Sequence, residues 1–454
     1  MKPNVVFVFA DQWRGEATGF GGNPAVRTPN LDRLAAESLN FTNATSGFPV
    51  CTPYRACFLT GQYPHTHGLF LNDAHLEPNG NGIGDAFARG GYDTAYIGKW
   101  HVNGRGRSSP IRKQFRQGFE YWKVLECTHD YNDSAYYDGT SDRKLVWDGY
   151  DADAQTDDAI RYICEHDNTR PFFLVLSWGP PHNPYETAPE SFRDMYRPSE
   201  VALRPNVPRE CETKAREELA GYYAHCSALD ACAGRLLAAL DTKGIADDTI
   251  FVFTSDHGDM LWSHGLERKQ KPWDESVRVP FLLRYPRAFG RTGRAIGDLF
   301  IDSPDIMPTL LGLSDVPIPP TVEGLDYSDH IVRDTRPEEP CAVLACYHPF
   351  GEWPRGARGG VFGLTGREYR GVRTQRYTYV RTLDGPWLLY DNAVDPYQLT
   401  NVIEHPAYAE TRLYLDDLLS RRLAARGDEF LPGTVYVDRF GYELDANGTI
   451  PYTL

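Results

Sequence analysis

The 454-residue chain is short of basic residues: 47 lysines and arginines face 62 aspartates and glutamates, a net charge of −15 at pH 7. That balance excludes a protein that holds nucleic acid through its overall field. A local basic pocket for an anionic ligand is still allowed, because steering depends on the field at the site. No segment has the apolar length needed to span a bilayer. The opening run VVFVFA is too short for the apolar core of a signal peptide and leads straight into Asp11-Gln12. The expectation is a soluble chain, cytoplasmic or exported after loss of a leader. Nine cysteines include no C-x-x-C pair, so neither a zinc ribbon nor a thioredoxin motif is indicated. Low-complexity tracts and solenoid repeats are also missing. An apolar content of 41% with 24% charged residues is that of an ordinary globular protein, not a disordered one.

What is present is a series of short, nearly continuous apolar runs: Asn4–Ala10, Thr94–Gly98, Pro171–Trp178 and Thr249–Ser255. Such runs are expected of strands buried on both faces of a parallel or mixed sheet. Helical patterns lie between them. Thr28–Ser38 opens with Thr and Pro in N-terminal positions, and Glu212–Leu240 reads as a long amphipathic helix. Alternating strands and helices imply an α/β fold with crossover connections. After about residue 340 the texture changes. A Pro/Gly-rich run (351–366) precedes short alternating segments, GVRTQRYTYVRT and PWLLYD, and a helical pattern over Thr411–Ala425. The expected division is a catalytic domain over 1–340 and a smaller subdomain over 341–454.

The strand ends carry the chemistry. The first run is followed by Asp11-Gln12, the second by Lys99-Trp100-His101, the third by Gly-Pro-Pro-His182, and the fourth by Asp256-His257-Gly258-Asp259. Ligands of open α/β sheets bind outside the carboxyl ends of the strands. Acids that merely cap the next helix would account for one such end; four together point to an active site. Asp11, Gln12, Asp256 and His257 are metal-ligand candidates. Their oxygens suit calcium or magnesium, and the imidazole also admits manganese or zinc.

The stretch Val50–Gly61, VCTPYRACFLTG, places Pro53 in the first turn of a helix, so Cys51 sits at its N-terminus. That position binds anions and lowers a thiol pKa. Cys51 and Arg55 share a face four residues apart, as attack on a sulfate or phosphate centre requires. A buried structural cysteine beside an ion-paired arginine is the plain alternative. A Cys51–Cys57 disulfide is excluded by the roughly 9 Å that six helical residues span. A cysteine phosphatase would need a longer loop between its Cys and Arg than the three residues here.

Cys51-Thr52-Pro53-Tyr54-Arg55 with Leu59-Thr60-Gly61 resembles the signature of the type I sulfatases of the alkaline phosphatase superfamily. Gly98-Lys99-Trp100-His101 resembles their second signature, and the Asp11-Gln12 and Asp256–Asp259 ends resemble their metal-binding segments. Pro181–Tyr185 and HGLERKQKPWDESVRVP resemble the segments bearing their active-site histidine and lysine, and Arg376–Asn401 their C-terminal subdomain. The resemblance runs in order along nearly the whole chain. It implies a large mixed, mostly parallel sheet flanked by helices, with a smaller C-terminal α+β subdomain built on an antiparallel sheet. It also implies that Cys51 is oxidised to formylglycine by a formylglycine-generating enzyme. Tyr54 departs from the small residue usual at that position, and Gln12 replaces the commoner second aspartate. Calcium is the implied metal, with manganese or magnesium as alternatives.

In the mechanism implied, residue 51 meets the metal together with Asp11, Gln12, Asp256 and His257. One hydroxyl of its hydrated aldehyde, activated by that metal, attacks sulfur, and the other expels sulfate from the resulting ester. Arg55 and Lys99 would hold the diol and His101 would be the base. His182 and Lys269 would bind the sulfate oxygens, one of them protonating the leaving alcohol. Lys271 is the rival of Lys269, and His264 is a candidate substrate contact. The substrate expected is a sulfate ester, on a carbohydrate and also on small aryl sulfates; a phosphonate monoester or phosphodiester is the alternative. A silent glycan-binding relative that keeps its thiol is a third reading. Arg105, Arg107, Arg112, Lys113 and Arg116 could meet further anionic groups of a polysaccharide, or form a solvated loop. The Tyr- and Asp-rich residues 130–150 could stack on sugars or pack over the sheet edge.

Overall fold

The computed structural model describes residues 2–351 and 367–453; of the Pro/Gly-rich run, all but Gly351 lies outside the described residues. Ten strands form the main sheet: β1 (Asn4–Asp11), β2 (Leu39–Phe41), β3 (Asp93–Lys99), β4 (Tyr121–Leu125), β5 (Ala135–Asp138), β6 (Lys144–Val146), β7 (Phe172–Pro181), β8 (Thr249–Ser255), β9 (Phe281–Arg284) and β10 (Arg294–Ile296). Their order is β10-β2-β9-β8-β1-β7-β3-β4-β5-β6. The central five, β8-β1-β7-β3-β4, are parallel, and β9 and β5 run antiparallel on either side. All four strands read from the sequence lie in this parallel centre.

The apolar runs are continuous because both faces are covered. Val5, Phe7 and Phe9 join a core containing the Cys51–Thr60, Ile83–Arg89 and Ser303–Leu313 helices. Val6, Val8 and Ala10 face the opposite core, with the Pro29–Ala35, Asp151–Glu165 and Glu212–Lys243 helices. Period-two alternation thus sends successive apolar side chains of one strand to different layers. Gly98 shows how tightly the centre is packed. It has φ 103°, and a Cβ there would stand 2.0 Å from the Ser177 carbonyl oxygen on β7. Only glycine fits where the strand carrying Lys99 turns out of the sheet.

A second, four-stranded antiparallel sheet follows: β11 (Ala342–Cys346), β12 (Tyr369–Arg373), β13 (Tyr377–Thr382) and β14 (Gly385–Asp391). One face packs on the Ala409–Arg426 helix. The other packs on Met260, Leu266, Trp273 and Val277 of the main body. The loop bearing Lys269 is therefore held between the two sheets.

Candidate active site

Because β1, β3, β7 and β8 are parallel neighbours, the residues after them collect on one sheet edge. The Cys51–Thr60 helix begins there. Cys51 Sγ lies 2.9 Å from Lys269 Nζ, 3.2 Å from His257 Nε2 and 3.6 Å from Asp11 Oδ1. Asp11, Cys51, Asp256 and His257 are all buried, and their donor atoms lie within 4.8 Å of one another.

Arg55 and Lys99 share the two carboxylates among them. Arg55 Nη2 donates to Asp11 Oδ2 (3.1 Å) and Asp256 Oδ2 (3.3 Å), and Nη1 to the Lys99 carbonyl (2.9 Å) and Ser177 Oγ (2.8 Å). Lys99 Nζ reaches Asp11 Oδ2 at 2.7 Å. Burial alone would raise the Asp11 pKa, but the cations Lys99, Arg55 and Lys269 outweigh it and hold the carboxyl well below its usual value. Asp256 goes the other way, raised by burial and by Asp11 beside it. The Cys51 thiol is pushed up to about 12, by burial first and then by Asp11. The helix-terminus effect expected to lower it is overridden, since removing a thiolate from water costs more than one helix end returns. A thiolate nucleophile of the cysteine phosphatase kind does not fit this environment.

The donor set does fit a divalent cation. His257 Nδ1–H donates to the Gly258 carbonyl oxygen (2.9 Å), which leaves the Nε2 lone pair facing Asp11 Oδ1 (3.7 Å) and Asp256 Oδ1 (3.6 Å). Gln12 Nε2 donates to Asp259 Oδ2 at 2.6 Å, and its Oε1 is buried with no hydrogen-bond partner among the described residues. Lone pairs gathered in this way call for a cation. Asp259 also binds the Tyr185 hydroxyl and accepts from the Arg268 backbone amide; it fixes the amide of Gln12 in place.

On the other side of Cys51, Lys269 Nζ lies 3.2 Å from His182 Nε2. His182 Nδ1–H donates to the Asn183 carbonyl (2.9 Å), so Nε2 accepts and the lysine carries the proton. Burial, then the Lys269 ammonium, holds His182 neutral. Lys271, the rival lysine, donates to the Glu267 carbonyl at 2.7 Å. His101 is buried 3.4 Å from Asp73 Oδ1, with its carbonyl accepting from Thr52 Oγ1. Burial and Lys99 lower its pKa to about 3, so it is a neutral base. The contacts of His264 are with Asn206 (3.2 Å) and the Trp273 ring (5.2 Å) rather than with this cluster.

The basic loop splits. Arg107 makes a two-pronged bond to Asp73 (2.9 and 2.8 Å), and Arg116 is buried, donating to the Ile111 carbonyl. Arg105 stacks on Phe115. Tyr131 and Tyr137 are buried and Tyr136 stacks on Trp147, so these rings of 130–150 cover the sheet edge. Sequence reasoning missed Asp73, Ser177 and His129. For His129 a signal existed: Tyr121–Leu125 (YWKVL) is a short run rich in strand-forming residues, broken only by Lys123, and Glu126-Cys127-Thr128-His129 follow it.

Comparison with known proteins agrees with this geometry. The Sulfatase family model matches residues 3–316, and the model of the N-sulphoglucosamine sulphohydrolase C-terminal region matches 263–425. An ulvan-active sulfatase of Formosa agariphila is 44% identical over 99% of this chain and 87% of its own length. An endo-4-O-sulfatase of Bacteroides thetaiotaomicron is 30% identical over 88% of each chain. Among solved structures, one from the glycosaminoglycan metabolism of that bacterium superposes with TM-score 0.82 at 29% identity, covering 97% of this chain and 100% of the other. The phosphonate monoester hydrolase of Agrobacterium radiobacter gives 0.73 at 27%, covering 93% and 96%. A family model spanning most of the chain and a relative this similar along nearly all of it show that the protein belongs to the sulfatase family and is a sulfuric ester hydrolase.

Proposed function

We propose that this sulfatase removes sulfate from a sulfated polysaccharide, with residue 51 acting as formylglycine. The observation that carries the reading is the surrounding of Cys51 Sγ: the imidazole of a carboxylate-rich cluster lies 3.2 Å away on one side and the Lys269 ammonium 2.9 Å away on the other. Sγ stands where a hydroxyl of the hydrated aldehyde would sit, and maturation by a formylglycine-generating enzyme would supply that group. A divalent cation held by Asp11, Asp256 and His257, with Gln12 Oε1 as a further oxygen, would supply Lewis-acid activation of that hydroxyl near neutral pH. Calcium is proposed, with manganese or magnesium as alternatives; the oxygens that predominate in the set suit a hard cation.

The chain's own residues divide the remaining work. Arg55 and Lys99 fix the Asp11 carboxylate and bring positive charge to the nucleophile. Lys269 stands nearest to where the sulfate oxygens would lie, and as the proton-bearing partner of His182 it is the donor to the leaving alcohol. Neutral His101, whose carbonyl accepts from the hydroxyl of Thr52 next to residue 51, is assigned the role of taking its proton. The name of the Formosa relative, an ulvan-active sulfatase, supports an ulvan-like polysaccharide as substrate class. We also propose the division at 340/341, supported by the second sheet beginning at Ala342.

The test is a comparison of kcat/KM for 4-nitrophenyl sulfate, ulvan oligosaccharides, sulfated glycosaminoglycans, a phosphonate monoester and a phosphodiester. Peptide mass spectrometry of residue 51 and elemental analysis of the metal accompany it. Sulfated saccharides are expected to lead. A preference of more than tenfold for a phosphorus ester would overturn the reading.

A further inference from the structure

His129 has no role in the scheme above, yet it closes the site. It follows β4, the remaining parallel strand of the sheet centre. Its ring lies flat on His182, with centroids 4.6 Å apart and planes 4° from parallel. His182 meets Lys269, and Lys269 meets Cys51. A row of side chains therefore runs outward from residue 51. Cys51, Lys269 and His182 are buried, whereas His129 is half-buried, at the point where the row reaches solvent.

Two other imidazoles of the site are tied by hydrogen bonds, His182 to the Asn183 carbonyl and His257 to the Gly258 carbonyl, and His101 lies 3.4 Å from Asp73 Oδ1. No hydrogen bond joins the ring of His129 to any described residue; stacking alone holds it. Both ring nitrogens are thus left for a ligand. Burial first, and then the positive charges of Lys99, Lys269 and Arg107, keep the ring neutral, its pKa lowered to about 3. A neutral imidazole offers one donor and one acceptor. Sulfate only accepts, and Lys269 serves it better. A hydroxyl both donates and accepts, and so matches the free edge of His129.

We infer that His129 is a specificity-determining residue that hydrogen-bonds a hydroxyl of the sugar ring carrying the sulfate ester. This rests on the reading of the substrate as a sulfated saccharide. The test uses matured, metal-loaded enzyme, ulvan oligosaccharides as the probe with hydroxyls and 4-nitrophenyl sulfate as the probe without. His129→Phe keeps a flat ring on His182 but has no polar edge. His129→Gln restores a donor and an acceptor. Thermal melting confirms that both variants are folded.

The expected result for His129→Phe is a rise in saccharide KM of about tenfold, the size of one lost neutral hydrogen bond. Its saccharide kcat, and its kcat/KM for the aryl sulfate, should stay within twofold. His129→Gln is expected to recover most of the KM. An unchanged KM, an equal loss on both probes, a fall in kcat alone, or no recovery with glutamine would each overturn the inference. Wild-type enzyme that cleaves the aryl ester but no sulfated saccharide would instead remove the substrate reading, a failure visible before any variant is compared.

Discussion

Cys51 contributes little to the fold and, on the proposed mechanism, nearly everything to the reaction. Cys51→Ala removes one sulfur atom from a buried site, a change of about 1 kcal/mol at most. Turnover is expected to fall by at least about a thousandfold while the melting temperature stays within a few degrees; substantial residual turnover would remove formylglycine from the mechanism. Tyr54, the unusual residue of the signature, is buried with its ring against Phe9 in the core beneath the helix. Its bulk is thus accommodated in the folded chain. Another buried residue makes the stability depend on pH. His225 Nε2–H donates to the Pro184 carbonyl, and Nδ1 accepts from the Tyr150 hydroxyl at 2.7 Å. Burial lowers its pKa to about 4. The unfolded chain, with histidine near 6.5, binds the proton first, so this contribution is intact above pH 6.5 and is lost as pH falls toward 4. At pH 5 the loss is about 2 kcal/mol. Urea midpoints at pH 7.5 and 5 should show the stability gap between wild type and His225→Gln shrinking by about that amount; a constant gap would mean His225 is not held neutral.

At the scale of elements, the loop that presents Lys269 is the vulnerable part. Gln270, with φ 69°, holds it: its backbone amide donates to the Pro49 carbonyl (3.0 Å), two residues before Cys51, and Nε2 donates to the His348 carbonyl (2.9 Å). Its own carbonyl accepts from the Tyr369 hydroxyl of β12 (3.3 Å). Gln270→Ala cuts the side-chain ties alone. It is expected to lower kcat about tenfold with little change in urea midpoint, because misplacement of Lys269 is a loss of orientation more than of stability. An unchanged kcat would show that backbone bonds alone fix the loop. This loop also marks where the sequence stops being legible. The central strands could be read because double burial forces continuous apolar runs, and their C-terminal residues gave most of the site. The short outer strands β2, β5, β6 and β10 carry no such run. Gln12, His101, Arg268 and Gln270 all have φ between 57° and 71°, a left-handed backbone that non-glycine residues enter only when their surroundings impose it. No residue type announces such a turn. Asp73 and Ser177 were hidden for a related reason: each matters only through a partner, His101 or Arg55, distant in sequence.

For the whole molecule the decisive contrast is between a net charge of −15 and a site lined by Arg55, Lys99, Arg107 and Lys269. The site cations are mostly spent on Asp11, Asp256 and Asp73. Their field is therefore short in range, and at distances beyond about 10 Å the acidic surface governs what an approaching anion meets. A polyanion carries many charges into that region, whereas a small aryl sulfate carries one. Salt screens the long-range repulsion before it weakens contacts inside the buried site. For ulvan oligosaccharides, kcat/KM should therefore rise two- to fivefold, roughly, between 10 and 150 mM salt, with 4-nitrophenyl sulfate changing by less than about twofold. Steady-state assays of both substrates across that range decide the point. A fall in kcat/KM for the oligosaccharide would show that a local basic surface steers it, and would return Arg105 and Arg112, which leave the site cluster untouched, to the role of polyanion contacts.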